Sequence, residues 1–214
     1  MNMNAKIAKK LFGCCAMMGL LQAAIAQPSI APIPAGLNPA GPQYPSPNGG
    51  SAVVASQELF ASGGEVYVTD LEPTGAAYSE DLFVASPANG FGLFMNDHTT
   101  PNGTTYDLGS YPAGTEIEFG LYVYDTGNTW YDGPAGRNAD GVVHAYMVNN
   151  YEGLGNTTYV GFEDLAAPVA DFNYVDEVYA FTGVSASVPD ATSALSLFGM
   201  AMTAMACFGR RFQK

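Results

Sequence analysis

From residue 51 to residue 184 the apolar positions recur with a period of two, the spacing of a pleated strand rather than of a helix. The clearest case is Glu116-Ile117-Glu118-Phe119-Gly120-Leu121-Tyr122-Val123-Tyr124. Ile117, Phe119, Leu121 and Val123 take one face, and the glutamates and tyrosines take the other. The same alternation predicts strands over 65–69, 81–85, 91–95, 142–148, 157–162 and 178–184. Ser62-Gly63-Gly64, Asn89-Gly90, Pro101-Asn102-Gly103, Asp132-Gly133-Pro134 and Asp140-Gly141 punctuate them with turn-forming residues. No amphipathic helical period appears in this span. Seven or more short strands at this spacing predict an all-β domain, an antiparallel β-sandwich or jelly roll over 51–184. Twelve of the thirteen tyrosines fall within it, where aromatic rings suit cross-strand packing.

The pattern changes on both sides of that span. Residues 27–50 hold seven of the fourteen prolines and no charge, which predicts an extended linker rather than a packed element. Before it, Lys6, Lys9 and Lys10 precede a short apolar run over 11–21 and the small-x-small triplet Ala24-Ile25-Ala26. This is the order of a secretory signal helix over 1–26, with signal peptidase cutting between Ala26 and Gln27. Leu11-Phe12-Gly13-Cys14 loosely resembles a lipidation box, but only three apolar residues precede the cysteine and the apolar run continues past it. At the other end, 194–208 is uncharged and mostly apolar, and Arg210 and Arg211 follow at once. Fifteen residues of helix rise about 22 Å, short of a hydrocarbon core of about 30 Å, so the segment spans only with its flanks or in a thin membrane. The arginines place its end in the cytoplasm.

Val188-Pro189-Asp190, the apolar segment containing Gly199, and Arg210-Arg211 together resemble a PEP-CTERM sorting signal of the Val-Pro-Asp variety, over 188–214. The resemblance implies recognition by an exosortase, a transpeptidase-like membrane enzyme of Gram-negative bacteria. It also implies transient anchoring in the inner membrane, then delivery to the cell surface, outer membrane or extracellular matrix. Ala191-Thr192 depart from the Ser-Gly or Gly-rich pair that is frequent after the aspartate.

Charge narrows the choice of partner. Between residues 27 and 189 stands one basic residue, Arg137, against nineteen acidic ones, a balance of −18. Such a surface repels phosphate backbones, so nucleic acid is excluded as a partner, and anionic membrane surfaces are disfavoured. Cys14, Cys15 and Cys207 all lie in the terminal apolar segments, which leaves the β domain without a disulfide. Its stability must come from its own core or from a bound ion.

A second resemblance lies in the latter part of the domain. Val160-Gly161-Phe162-Glu163-Asp164-Leu165, then Asp171-Phe172-Asn173-Tyr174-Val175-Asp176-Glu177-Val178, resemble the Gly-Phe-Glu-Asp-Leu and Asp-x-Asp-Tyr-Asn-Asp signature of a β-rich domain of unknown function common among PEP-CTERM proteins. The stretch from Gly133-Pro134 through Arg137-Asn138-Ala139-Asp140-Gly141 to His144-Ala145 resembles a segment of the same proteins. Asn173 and Val175 depart from the later motif.

Read as chemistry, alternating Asp and Asn oxygens on a short loop are what a hard cation requires. Asp171, Asn173 and Asp176, with Glu163 and Asp164 from the preceding turn, are the candidate calcium ligands. The spacing is not that of an EF-hand, and the same residues also suit turns capped by side-chain to backbone hydrogen bonds; both readings stand. His144 lies mid-strand within reach of Asp140 or a loop carbonyl. Two histidines and no cysteine in the domain make a poor zinc site. Arg137 is expected to pair with carboxylates. Trp130 and Tyr131, near a Gly/Asp loop, either pack in the core or stack on a sugar.

No nucleophile elbow, Ser-x-x-Lys or phosphate loop is present. The reading is an exported, non-enzymatic surface or matrix protein with a structural or interaction role and exopolysaccharide as a candidate partner. The alternative is a calcium-dependent or lectin-like carbohydrate-binding module. A third reading, an extracellular hydrolase, needs two carboxylates flanking a sugar.

Overall fold

The computed structural model describes residues 28–39, 44–47, 49–53, 55–71, 77–87 and 91–187. The signal segment with its Ala26–Gln27 junction lies outside the described residues, as does the C-terminal apolar segment with Val188, Pro189, Asp190, Arg210 and Arg211. Among the described residues no helix is long and apolar enough to cross a membrane.

The described chain is mostly β, and every strand pairing is antiparallel. In chain order the strands are β1 (Ser29–Ala31), β2 (Glu58–Ala61), β3 (Gly64–Asp70), β4 (Glu80–Ser86), β5 (Met95–Asn96), β6 (Thr105–Tyr111), β7 (Glu118–Val123), β8 (Asn128–Tyr131), β9 (Ala145–Asn149), β10 (Thr157–Phe162), β11 (Glu177–Thr182) and β12 (Val184–Ser187). One sheet runs β1-β6-β3-β11-β10-β9 and a second runs β5-β4-β7-β8. The β12-β2 pair is stitched to the lead-in of β7, where Ile117 N–H donates to Leu59 O at 2.9 Å.

Alternation on the strands builds one core between the two sheets. Val66 and Val68 of β3, Val160 and Phe162 of β10, and Tyr179 and Phe181 of β11 meet Leu82 and Val84 of β4 and Phe119, Leu121 and Val123 of β7 in a single cluster. Phe119 and Phe181, from opposite sheets, lie with ring centroids 4.3 Å apart. Deleting a ring of this kind costs about 3–5 kcal/mol.

The expected strand over 157–162 coincides with β10, and those over 65–69, 81–85 and 116–124 match β3, β4 and β7. Two others are shorter than expected. Over 91–95 only Met95 enters β5, although Val84 N–H donates to Phe91 O and Phe94 N–H to Leu82 O; Gly92 and Leu93 bulge out between those two bonds. Over 142–148 the strand starts at Ala145, because the Asn138 side chain takes Val142 O at 3.0 Å and holds the preceding backbone in a turn.

The proline-rich segment differs from a free linker. Ser29–Ala31 pairs with β6 as an edge strand. Leu37 and Tyr44 cover the outer face of β10 and β11, where Tyr159, Val178 and Ala180 form a second apolar cluster with Leu71 and Tyr151. Tyr44 stacks on Tyr159 and its hydroxyl donates to Leu71 O. The reason lies in the strands beneath: all six residues of β10 are buried, so its outer side chains need a cover as much as its inner ones.

Candidate metal centre

Two groups of acids converge where the two sheets meet. The first grows from the turn between β10 and β11. Beyond Phe162 the chain delivers Glu163 and Asp164, loops out, and returns through Asp176 to Glu177. His144 holds the outgoing side: its carbonyl accepts from Glu163 N–H at 2.9 Å, and its ring Nδ1 lies 2.8 Å from Glu163 O. The returning side crosses Gly161 so closely that a Cβ there would lie 2.0 Å from Tyr174 O. Phe172 and Tyr174 take φ of 55° and 56°, a left-handed conformation that costs free energy at a non-glycine residue. Tyr174 is anchored by its buried hydroxyl, which donates to Val143 O at 2.8 Å and accepts from Val53 N–H at 3.0 Å.

Of the five residues read as calcium ligands, Glu163, Asp164 and Asp176 bring oxygens within 4.8 Å of one another. Asp171 lies outside that group, and its carboxylate is engaged by Asn173. Asp171 accepts from Asn173 N–H at 3.0 Å and from Asn173 Nδ2 at 2.9 Å, and Asn173 Oδ1 accepts from Val175 N–H at 2.9 Å. The other carboxylates also hold the turn: Glu163 accepts from Phe172 N–H at 2.7 Å and Leu165 N–H at 3.3 Å, and Asp176 accepts from Asp164 N–H at 3.2 Å. These are the bonds of turn caps. Burial, with the Asp176 charge added, pushes the Glu163 carboxyl up to about 8 against those two N–H donors. Burial and the Asp164 charge push Asp176 up to about 6.

The second group is Glu80, Asp97 and Glu177, whose oxygens also lie within 4.8 Å of one another. Glu80 opens β4, Asp97 follows β5, and Glu177 opens β11, so the group spans both sheets. Asp97 Oδ1 accepts from Glu80 N–H at 2.9 Å, and Asp97 N–H donates to Glu80 O at 3.2 Å. Glu177 Oε2 accepts from the Tyr179 hydroxyl at 3.1 Å. No N–H or hydroxyl donor reaches either carboxylate oxygen of Glu80 or Oε1 of Glu177; the groups in reach of Glu80 are other carboxyls, and both side chains are sealed in the interior. Burial first, then the charges of Asp97 and Asp164, push the Glu80 carboxyl well up from the carboxylate range. Burial does the same to Glu177, aided by Asp97, Glu80 and Asp70. The Asp164 carboxyl, raised by burial, lies within hydrogen-bond reach of Glu80 and joins the two groups.

Around these acids stands a rigid frame. Trp130 is buried and lies flat on His144, centroids 3.8 Å apart, while its indole N–H donates to Asp164 O at 2.7 Å. His144 Nε2 lies 3.0 Å from Asp140 Oδ2, so of the two partners expected for this ring it holds both, a carboxylate and a loop carbonyl. Burial opposes the Asp140 charge, but Ala167 N–H, the His144 ring and Val142 N–H outweigh it and hold the carboxyl below its ordinary value. Arg137 pairs with carboxylates as expected: Glu116 at 2.5 Å, Glu58 at 3.5 Å, Glu118 at 3.7 Å and Asp132 at 3.9 Å.

Sequence reading passed over Glu80, Asp97 and Glu177, although a signal was present. Glu80 shares strand parity with the core residues Leu82 and Val84, and Glu177 shares it with Tyr179 and Phe181. An acid at an inward position of an alternating strand marks a buried charge.

No family model, curated protein or solved structure matches the chain.

Proposed function

We propose that this chain is an exported, non-enzymatic protein of the cell surface or extracellular matrix of a Gram-negative bacterium. Its layered antiparallel architecture is read as a jelly-roll-type sandwich with a structural or interaction role. The observation that carries this reading is the order of Val188-Pro189-Asp190, an apolar run and Arg210-Arg211, which begins directly after the last described strand closes at Ser187. On this reading signal peptidase acts at Gln27 and an exosortase-like enzyme processes the tail. The acidic, cysteine-free domain suits a role outside the cell. Intact-mass measurement on matrix-associated protein tests it. A product that starts at Gln27 and lacks the tail supports it; a product running from Met1 or ending at Lys214 overturns it.

A second reading, a carbohydrate-binding module, is favoured by a groove on the outer face of the four-stranded sheet. Phe83, Tyr122 and Tyr131 line it with Leu93 and Thr129. Phe83 lies over Gly120, where a Cβ would come 2.2 Å from the ring, and meets Tyr131 edge-on. Such an aromatic floor suits a sugar ring. Trp130, the other candidate for stacking, is in the core. Polysaccharide binding lost in Tyr122→Ala and Tyr131→Ala supports this reading, and binding unchanged by both removes it. The convergent carboxylates are sealed beneath the surface rather than set in an open cleft, which supports a binding role over hydrolysis.

A further inference from the structure

We propose that Glu80, Asp97 and Glu177, with Asp164 beside them, form a divalent-cation site of calcium type that ties the four-stranded sheet to the six-stranded one. The first support is geometric. Oxygens of three carboxylates from three separate segments lie within 4.8 Å of one another. Calcium–oxygen bonds of about 2.3–2.6 Å place opposite ligands of one ion about that far apart.

The second support is the state of the ligand atoms. Glu80 is fully buried and aimed into the group, and its oxygens meet no N–H or hydroxyl donor, only the Asp97 and Asp164 carboxyls; Glu177 Oε1 also lacks a donor. The neighbouring group differs on this point, since Glu163 and Asp176 have backbone N–H partners. A buried carboxylate with no donor needs a cation or a proton. Among the described residues Arg137 is the one lysine or arginine, and it is held by Glu58, Glu116, Glu118 and Asp132. The His98 ring lies beside the group, with its Nε2 3.0 Å from Asp97 Oδ2. The His98 side chain is half exposed, at the rim of the group.

The donor set selects the ion. Carboxylate oxygens suit a hard cation and a single rim imidazole does not make a zinc site. A group of several carboxylates matches the large, flexible shell of calcium better than the water-rich octahedron of magnesium. Bound there, the ion would neutralise acids from β4, β11 and the turns after β5 and β10, and hold the sheets in register where no disulfide does.

The test uses the full chain. Calcium and magnesium are compared by thermal unfolding at matched ionic strength, and terbium luminescence is excited through Trp130, whose indole N–H bonds Asp164 O. At a hundredfold excess over Kd, calcium should raise Tm by roughly 5–10 °C beyond magnesium. Glu80→Gln and Glu177→Gln should abolish that difference and the terbium signal, yet leave the metal-free protein at least as stable, because each puts a neutral amide where burial disfavours the ionised acid. Asp171→Ala and Asn173→Ala should keep both. Equal effects of calcium and magnesium, or a wild-type response in Glu80→Gln and Glu177→Gln, overturn the proposal. So does a wild-type chain that binds no terbium, which would leave protons holding the acids. None of these outcomes bears on export or on the fate of the tail.

Discussion

Replacing Arg137 with alanine removes the one lysine or arginine of the described residues and leaves four carboxylates facing the space it filled. The cost is bracketed by two limits. An exposed ion pair contributes about 0.2–1 kcal/mol. Breaking a buried pair costs about 3–5 kcal/mol. The Arg137 side chain is 23% exposed, Glu58 16%, Glu118 23% and Glu116 38%, so the network falls between the two. Glu116 makes the shortest contact but is the most screened, and counts for less than its distance suggests. Asp132 also counts for less than its burial suggests. Burial already pushes its carboxyl well above the usual range, and without the guanidinium it takes up a proton. Glu58 and Glu118 carry most of the loss. We expect Arg137→Ala to lose about 2–3 kcal/mol at neutral pH and low salt. Arg137→Lys should recover less than half, since an ammonium cannot fork between acids on both sides. Urea unfolding of the full chain measures this at low and high salt, and again as the acids are protonated. The deficit should shrink in both directions, because screening and protonation each relieve the repulsion left behind. A loss under about 0.5 kcal/mol would show that the network contributes little, and a larger one that ignores salt would show that Arg137 acts through its packing against Gly133 and not through its charge.

Asp140→Ala should cost about 1–3 kcal/mol at neutral pH, because Ala167 N–H, Val142 N–H and the His144 ring lose their acceptor. The Asp140 carboxyl sits below its ordinary value in the folded state, so its contribution is present above that value and disappears as pH falls through the folded one; a wild-type-to-variant gap that widens in acid would contradict this. Gly161→Ala should destabilise by about 2–3 kcal/mol, since Tyr174 O must move from a contact of 2.0 Å while its own hydroxyl is pinned; unchanged thermal unfolding would show that the returning loop yields. Tyr44→Ala should cost about 2 kcal/mol and open the proline-rich segment to proteolysis, as it loses the ring on Tyr159 and the bond to Leu71 O; equal protease resistance would return that segment to a free linker.

Strands with a clear run of inward apolar residues were legible from the chain alone, as β3, β4 and β7 show. The strands that went unread failed for local reasons. β6 reads Thr-Tyr-Asp-Leu-Gly-Ser-Tyr, with a glycine at φ 87° capped by Asp107, so its pattern looks like a loop. β1 is three residues in a proline-rich stretch, and only its partner makes it a strand. The acids show how a small boundary error hides a site. The expected strands over 81–85 and 178–184 each begin one residue after a buried glutamate, Glu80 and Glu177, and so trimmed off the two positions that matter most. The loop acids were visible because Asp and Asn cluster in sequence. Glu80 and Glu177 meet only where the two sheets pack together, which no local window contains.

The order of strands in the six-stranded sheet also dictates when the domain can close. β3 lies between β6 and β11, so Asp70 faces Tyr179 while Ser29 faces Asp107. Each of these pairings joins residues far apart along the chain, and the cost of closing such loops falls before any of the contacts form. Folding is then expected on the millisecond-to-second scale of nonlocal β proteins. Until β10 and β11 are both free to form their hairpin, β3 has one neighbour instead of two, and the face that Leu37 and Tyr44 cover does not exist. A segment made before every strand of the core is among the last to dock. A chain emerging in order thus stays open and threadable until almost the whole domain is available.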